Sequence, residues 1–208
     1  STIKPILDYT PLFMERSGTN YGPGSVWPDV NIDSIYCKGT YGKCSLRNAS
    51  RKFYGNITIR QSLAGSLNIG AVKALYVNGI DKSLEIAHAL GDKSYCADNT
   101  SAGLSMAIGG GCGVRPVEHA NAYASLARGG VYKDLVYWLE VKNSNGEVID
   151  SWSDNEGTRV VDEQVAYMVT DILSDTNARR MIFGGLSTTP GFYSKKTWFA
   201  AKTGTTEN

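Results

Sequence analysis

The sequence contains no run of about eighteen apolar residues, so no segment of it is long enough to cross a bilayer as a helix. It also lacks an excess of either charge. With 21 basic and 20 acidic side chains the net charge is +1, without the basic footprint of a nucleic-acid binder, and no nucleic-acid partner is expected. Histidine is scarce: His88 and His119 both sit in helical patterns, and none of the four cysteines falls in a C-x-x-C pair, which argues against a zinc site. Neither a metal nor a cofactor is expected. Gly109-Gly110-Gly111 has no Gly-Lys-Ser/Thr after it, so it reads as close packing or a tight turn and not as a phosphate loop. Repeats, low-complexity tracts, an initiator Met and a signal peptide are all missing. The chain starts on Ser1 and stops four residues after Gly204, so the expectation is a piece of a larger protein, cut at both ends.

What is present suffices for a core. The chain has 208 residues, 42% of them hydrophobic, and reads as one partial domain over residues 1–208. Cys37, Cys44, Cys96 and Cys112 allow three pairings. Proximity along the chain favours Cys37–Cys44 and Cys96–Cys112, which suits an oxidising compartment, while buried free thiols are the plain alternative.

Helical spacing of Ile3, Ile6 and Leu7 places Ser1 at a helix start, with Pro5 tolerated in the first turn. Residues 18–54, rich in Gly, Pro, Asn, Ser and Tyr, read as one long loop. Thr58 caps a helix to Ala64, and another runs from about Ile69 to Val77, stopped by Gly79. Helices are expected over Asp81–Leu90, Arg115–Arg128 and Asp162–Leu173, and the segment from Ser101 to Gly113 is Gly-rich. Leu135–Val141 and Glu147–Trp152 read as strands joined at Asn145-Gly146, and Trp198–Lys202 as a last strand. Helices outnumber strands and the strands come late, which predicts an α+β fold, a helical region plus an antiparallel sheet incomplete in this segment.

Three short polar clusters stand out against this frame. Ser1 and Lys4, three residues apart at a helix start, share a face, so the amine can take the hydroxyl proton. Ser66-Leu67-Asn68 falls between two helices, where Ser66 could equally be a helix cap. Lys202-Thr203-Gly204 closes the chain. Ser153-Asp154-Asn155 offers a second Ser-x-Asn, but it lies in a polar stretch after the hairpin with no helix to fix it.

This trio, in this order, resembles that of the serine β-lactamases and penicillin-binding proteins. The flanks carry the resemblance further. Ser1–Pro5 (STIKP), Ile59–Leu75 (IRQSLAGSLNIGAVKAL), Pro116–Val131 (PVEHANAYASLARGGV), Asp171–Arg179 (DILSDTNAR) and Ala201–Thr206 (AKTGTT) are similar to segments of penicillin-binding transpeptidase domains, closest to the bifunctional class A. The resemblance implies a β-lactamase/transpeptidase-like fold and an extracytoplasmic location. It also implies a membrane anchor and glycosyltransferase domain upstream, peptidoglycan stem peptides as substrate, and β-lactam antibiotics as inhibitors. It makes Ser1 the nucleophile, Lys4 its base and Ser66 a proton relay. Asn68 would bond the substrate amide and Lys202 supply positive potential. Thr203 and Thr205 would hold the substrate carboxylate, with Gly204 allowing close approach and the Ser1 and Thr205 N–H groups forming the oxyanion hole. A serine β-lactamase, or a β-lactam-sensing or inactive scaffold of the same fold, would keep the same residues. The lactamase needs a glutamate to activate water, and Glu118, Glu140, Glu147, Glu156 and Glu163 match none in context.

Overall fold

The computed structural model describes residues 1–40, 42–98, 102–184 and 199–205. At its centre lies α1, a π-helical turn, Pro5–Tyr9, that runs into a short α-helix, Thr10–Phe13. Pro11 has no N–H to give to Leu7, and the Thr10 N–H reaches back five residues to the Pro5 carbonyl, which widens the turn. Ile3, Ile6, Leu7, Tyr9, Leu12 and Phe13 are all buried, as expected of a mostly apolar helix enclosed by the core. A turn at Thr2 and Ile3 precedes the helix, so Ser1 lies just outside the helix start that its spacing predicts.

Two helices, α4 (Asn68–Asn78) and α5 (Ile80–Leu90), pack along the whole of α1. Outside them lie α6 (Pro116–Ala127), α7 (Glu163–Ser174), α8 (Thr176–Phe183) and α3 (Ile59–Ala64), with a 3-10 turn, Leu104–Ile108, resting on α4. Of these, α7 also meets the Thr10–Phe13 end of α1. Thr58 caps α3 as expected, in a full capping box with Gln61. Arg60 ties α3 to α7 and α8 through Asp171 (2.6 Å) and Asp175 (3.0 Å).

Among the described residues the strands form three separate antiparallel pairs, β1 (Val26–Asp29) with β2 (Gly55–Thr58), β3 (Val131–Tyr132) with β6 (Thr158–Arg159), and β4 (Glu140–Lys142) with β5 (Val148–Ser151). The α+β expectation holds. The single long loop over 18–54 does not: β1 and a short helix, α2 (Asp33–Tyr36), lie within it. β1 buries Trp27 and Asp29 and exposes Val26 and Pro28, so its inward face carries a carboxylate that a hydrophobic pattern cannot register. The hairpin is shorter than expected, with β4 starting at Glu140 and not Leu135, and a bulge at Val141/Lys142. Its residues are nearly all exposed on both faces, so alternation there does not mark a core side. Trp198 of the expected last strand, Ser101 and Thr206 lie outside the described residues. Phe199–Thr205 form no strand, and the segment is tied to the end of α7 by a bond from Ala201 N–H to the Leu173 carbonyl (3.1 Å).

Both expected disulfides are present, with Cα separations of 5.7 Å for Cys37–Cys44 and 5.2 Å for Cys96–Cys112. Among the described residues no helix is long and apolar enough to cross a membrane, and no group of three or more His, Cys, Asp or Glu is set to hold a metal.

Gly70 on α4 sits against Ser62 Oγ, and a Cβ there would also come within 3.0 Å of the Tyr9 hydroxyl. Gly70→Ala is expected to destabilise the fold by about 1–3 kcal/mol through overpacking, more than the helix propensity of alanine returns, as read by denaturant unfolding.

Candidate active site

The middle cluster forms a corner between α3 and α4. Gly65 ends α3 with its α-carbon pressed against α8, where a Cβ would meet Ile182 Cγ1 at 2.7 Å. Ser66 then takes a left-handed conformation, φ +56°, which costs a non-glycine residue about 1–2 kcal/mol. That conformation aims its two polar groups at different partners. The Ser66 carbonyl accepts from Lys4 Nζ at 2.8 Å, and the Ser66 hydroxyl accepts from Lys202 Nζ at 2.6 Å.

Lys4 is only 1% exposed, and its ammonium is saturated by Ser66 O, Leu67 O at 3.3 Å and Asn68 Oδ1 at 2.7 Å. Burial lowers its pKa to about 8, opposed by Asp8 one turn along α1. Asp8 is itself fully buried, neither of its carboxyl oxygens has a hydrogen-bond partner among the described residues, and burial raises its pKa well above the carboxylate range. Lys202 is lowered to about 7, first by burial, then by the charges of Lys4 and Arg179. Its second bond goes to the Thr203 carbonyl at 2.8 Å.

Asn68 is held from a distance. Leu67 gives α4 no side-chain cap, and buried Asn48 takes that place, its Oδ1 accepting from the Asn68 N–H at 2.8 Å. Asn48 Nδ2 in turn donates to Asp29 Oδ2 at 2.9 Å. The segment 18–54 thus sets the side chain that meets Lys4. The last cluster is positioned by Arg179 of α8, which donates to the Ala201 carbonyl at 2.9 Å.

Ser1 stands apart from the corner. Its Oγ accepts from the Ile3 N–H at 3.3 Å, and among the described residues no hydrogen bond joins it to Lys4. It opens on a cavity of about 690 Å³ shared with Thr205, His119 and the Gly109–Gly113 strip. Gly204 lies against Thr2, where an added Cβ would be 2.9 Å from Thr2 Cγ2. Thr203 is exposed. The rejected Ser153-Asp154-Asn155 is exposed after the hairpin, with Asp154 paired to Lys133 at 2.7 Å.

A family model described as the penicillin-binding protein transpeptidase domain matches residues 31–208. The chain belongs to that family. Penicillin-binding protein 1A/1B of Bacillus subtilis (strain 168) is 31% identical over 207 residues, 99% of this chain and 21% of the relative's length. Penicillin-binding protein 2a of Streptococcus pneumoniae serotype 2 is 31% identical over 208 residues, 100% of this chain and 25% of its own length. The chain therefore spans about a quarter or less of these relatives. Among solved structures, penicillin-binding protein 1A from Haemophilus influenzae superposes with a TM-score of 0.70 at 20% identity, covering 86% of this chain and 29% of that one. PonA1 from Mycobacterium tuberculosis in complex with penicillin V gives 0.67 at 22% identity, covering 84% and 46%.

For this member of the penicillin-binding family, three features of the site escape the motifs. Asn48 and Asp29 lie in a stretch without periodicity, and Arg179 closes the DILSDTNAR segment without a motif that gives it a role. Gly109, with φ +85°, is legible in part through its glycine run: a Cβ there would lie 2.7 Å from Ser1 Oγ. With Ser1 as the nucleophile that the resemblance implies, Gly109→Ala is expected to slow its acylation by a fluorescent penicillin about 10- to 100-fold, the range for a reacting group displaced by an ångström. An unchanged rate would mean that the glycine strip does not confine the hydroxyl.

Proposed function

We propose that residues 1–208 are part of the transpeptidase domain of a bifunctional, class A penicillin-binding protein, and that Ser1 is acylated by the D-Ala-D-Ala end of a peptidoglycan stem peptide. The reading rests most heavily on one observation: Lys4 and Lys202, 198 positions apart, both bond to Ser66. In the first half-reaction neutral Lys4 Nζ takes the proton of Ser1 Oγ as the oxygen attacks the penultimate D-Ala carbonyl. The N–H groups of Ser1 and Thr205 hold the oxyanion, a contribution of about 3 kcal/mol per donor. The C–N bond breaks as the leaving D-Ala amine receives a proton through Ser66 Oγ. The amine of a second stem then attacks the acyl carbonyl, forms the cross-link and returns the proton to Ser1. Asn68 bonds the stem amide. Lys202, Thr203 and Thr205 receive the terminal carboxylate, and Gly204 keeps that edge open. β-Lactams occupy the same cleft and acylate Ser1. The membrane anchor and glycosyltransferase domain lie upstream, and the protein works outside the cytoplasmic membrane.

The bonds of Lys4 bear on the protonation state. A neutral amine has two N–H groups and one lone pair, so Lys4 must release one of its three acceptors before it can face Ser1.

Mass spectrometry of the full-length protein after penicillin treatment is expected to place one acyl adduct on Ser1, absent in Ser1→Ala. Rapid turnover of a chromogenic β-lactam would overturn this reading in favour of a lactamase. The adduct should also form with a pH dependence set by two amines. Lys4 must be neutral, a state gained as pH rises through about 8, and Lys202 charged, a state lost as pH rises through about 7. Their coupling makes the rate of acylation a narrow bell between these values, measurable by stopped-flow.

A further inference from the structure

A polar chain on the Thr2 side of the cleft is left unused by the mechanism above. Asp92, fully buried in the turn after α5, lies with Oδ2 at 2.8 Å from His119 Nδ1. A carboxylate can only accept, so Nδ1 carries the hydrogen, which leaves Nε2 of a neutral ring as an acceptor. That nitrogen is 3.1 Å from Thr2 Oγ1. Tyr123, one turn further along α6, donates its hydroxyl to the Thr2 carbonyl at 2.7 Å, and its ring meets that of His119 edge-on at 5.2 Å. Thr2 is therefore held twice, at its side chain and at its carbonyl. His119 also borders the cavity that holds Ser1.

The second contact has a mechanical consequence. The Thr2 carbonyl and the Ile3 N–H belong to one planar peptide unit, and that N–H is the donor to Ser1 Oγ. Fixing the carbonyl fixes the direction of the N–H, and with it the hydroxyl. We propose that Asp92, His119 and Tyr123 form a positioning clamp on Thr2 that presents Ser1 Oγ to the cleft in one orientation. The clamp rests on the reading of Ser1 as nucleophile. Asp92 and His119 act through Thr2 and touch no reacting atom, so their loss leaves substrate binding intact and slows acylation.

The test is a double-mutant cycle in the full-length protein, reading the rate constant for acylation by a fluorescent penicillin beside the thermal midpoint. Thr2→Val removes only the hydroxyl, Thr2→Ser keeps it, and His119→Gln keeps a donor for Asp92. The expected result is about a 10-fold loss for Thr2→Val and for His119→Gln with β-lactam affinity held, since orientation of a reacting group carries effects of this size. The double variant should be no slower than the slower single, and Thr2→Ser should recover the wild-type rate. Tyr123→Phe should lose a comparable factor with little change in midpoint. Losses that multiply in the double variant, a Thr2→Ser as slow as Thr2→Val, or rates that merely follow the midpoint would overturn the clamp alone. A wild type that takes up no label would overturn the Ser1 reading and the clamp with it.

Discussion

Two ammonium groups meet at one serine, and most of the molecule is arranged to keep them there. Like charges so close repel, and burial makes each less willing to stay charged. Ser66 eases the conflict by offering a carbonyl to one and a hydroxyl to the other, which its left-handed backbone permits. The strain of that conformation is held by both flanking helices: α3 ends on Gly65 against α8, and α4 begins on Asn68, capped by Asn48. A local backbone cost at a site, carried by rigid elements around it, is how such outliers persist.

Asp8 adds a second layer. A fully buried carboxyl with no hydrogen-bond partner among the described residues is expensive to ionise, so its proton is retained well above the usual carboxylate range. Its influence on Lys4 therefore depends on its own state. Neutral, it leaves the ammonium to the three acceptors of the corner; ionised, it pulls the amine pKa back up. The buried α1 thus carries one cation and one acid whose protonation is linked, one turn apart along an otherwise apolar helix.

Much of this was legible in the sequence, for uneven reasons. The helices α3 to α7 announce themselves through spacing and caps, as Thr58 with Gln61 does for α3, and their ends fall within a residue or two of those expected. The disulfide pairs follow from proximity along the chain. The corner was legible because its three clusters are short and ordered, even though the lysines lie at opposite ends of the chain. What the sequence concealed is cooperative. Asp29 and Asn48 read as loop polar residues, yet they are buried and bonded to each other, and Asn48 caps a helix twenty residues away. His119 sits in a helix pattern and draws meaning only from Asp92 and Thr2, far from it along the chain. Periodicity reports which face is apolar; it does not report which polar groups find one another.

The Cys96–Cys112 bridge has a consequence for how the cleft tolerates damage. The bridge joins the glycine strip beside Ser1 directly to Cys96, whose neighbour Tyr95 is anchored by its hydroxyl to the Met106 carbonyl at 3.0 Å. A protease that cut the backbone between these cysteines would sever the peptide chain without releasing either end. Under denaturing conditions the nicked protein would travel as one species until a thiol reductant separated its two pieces.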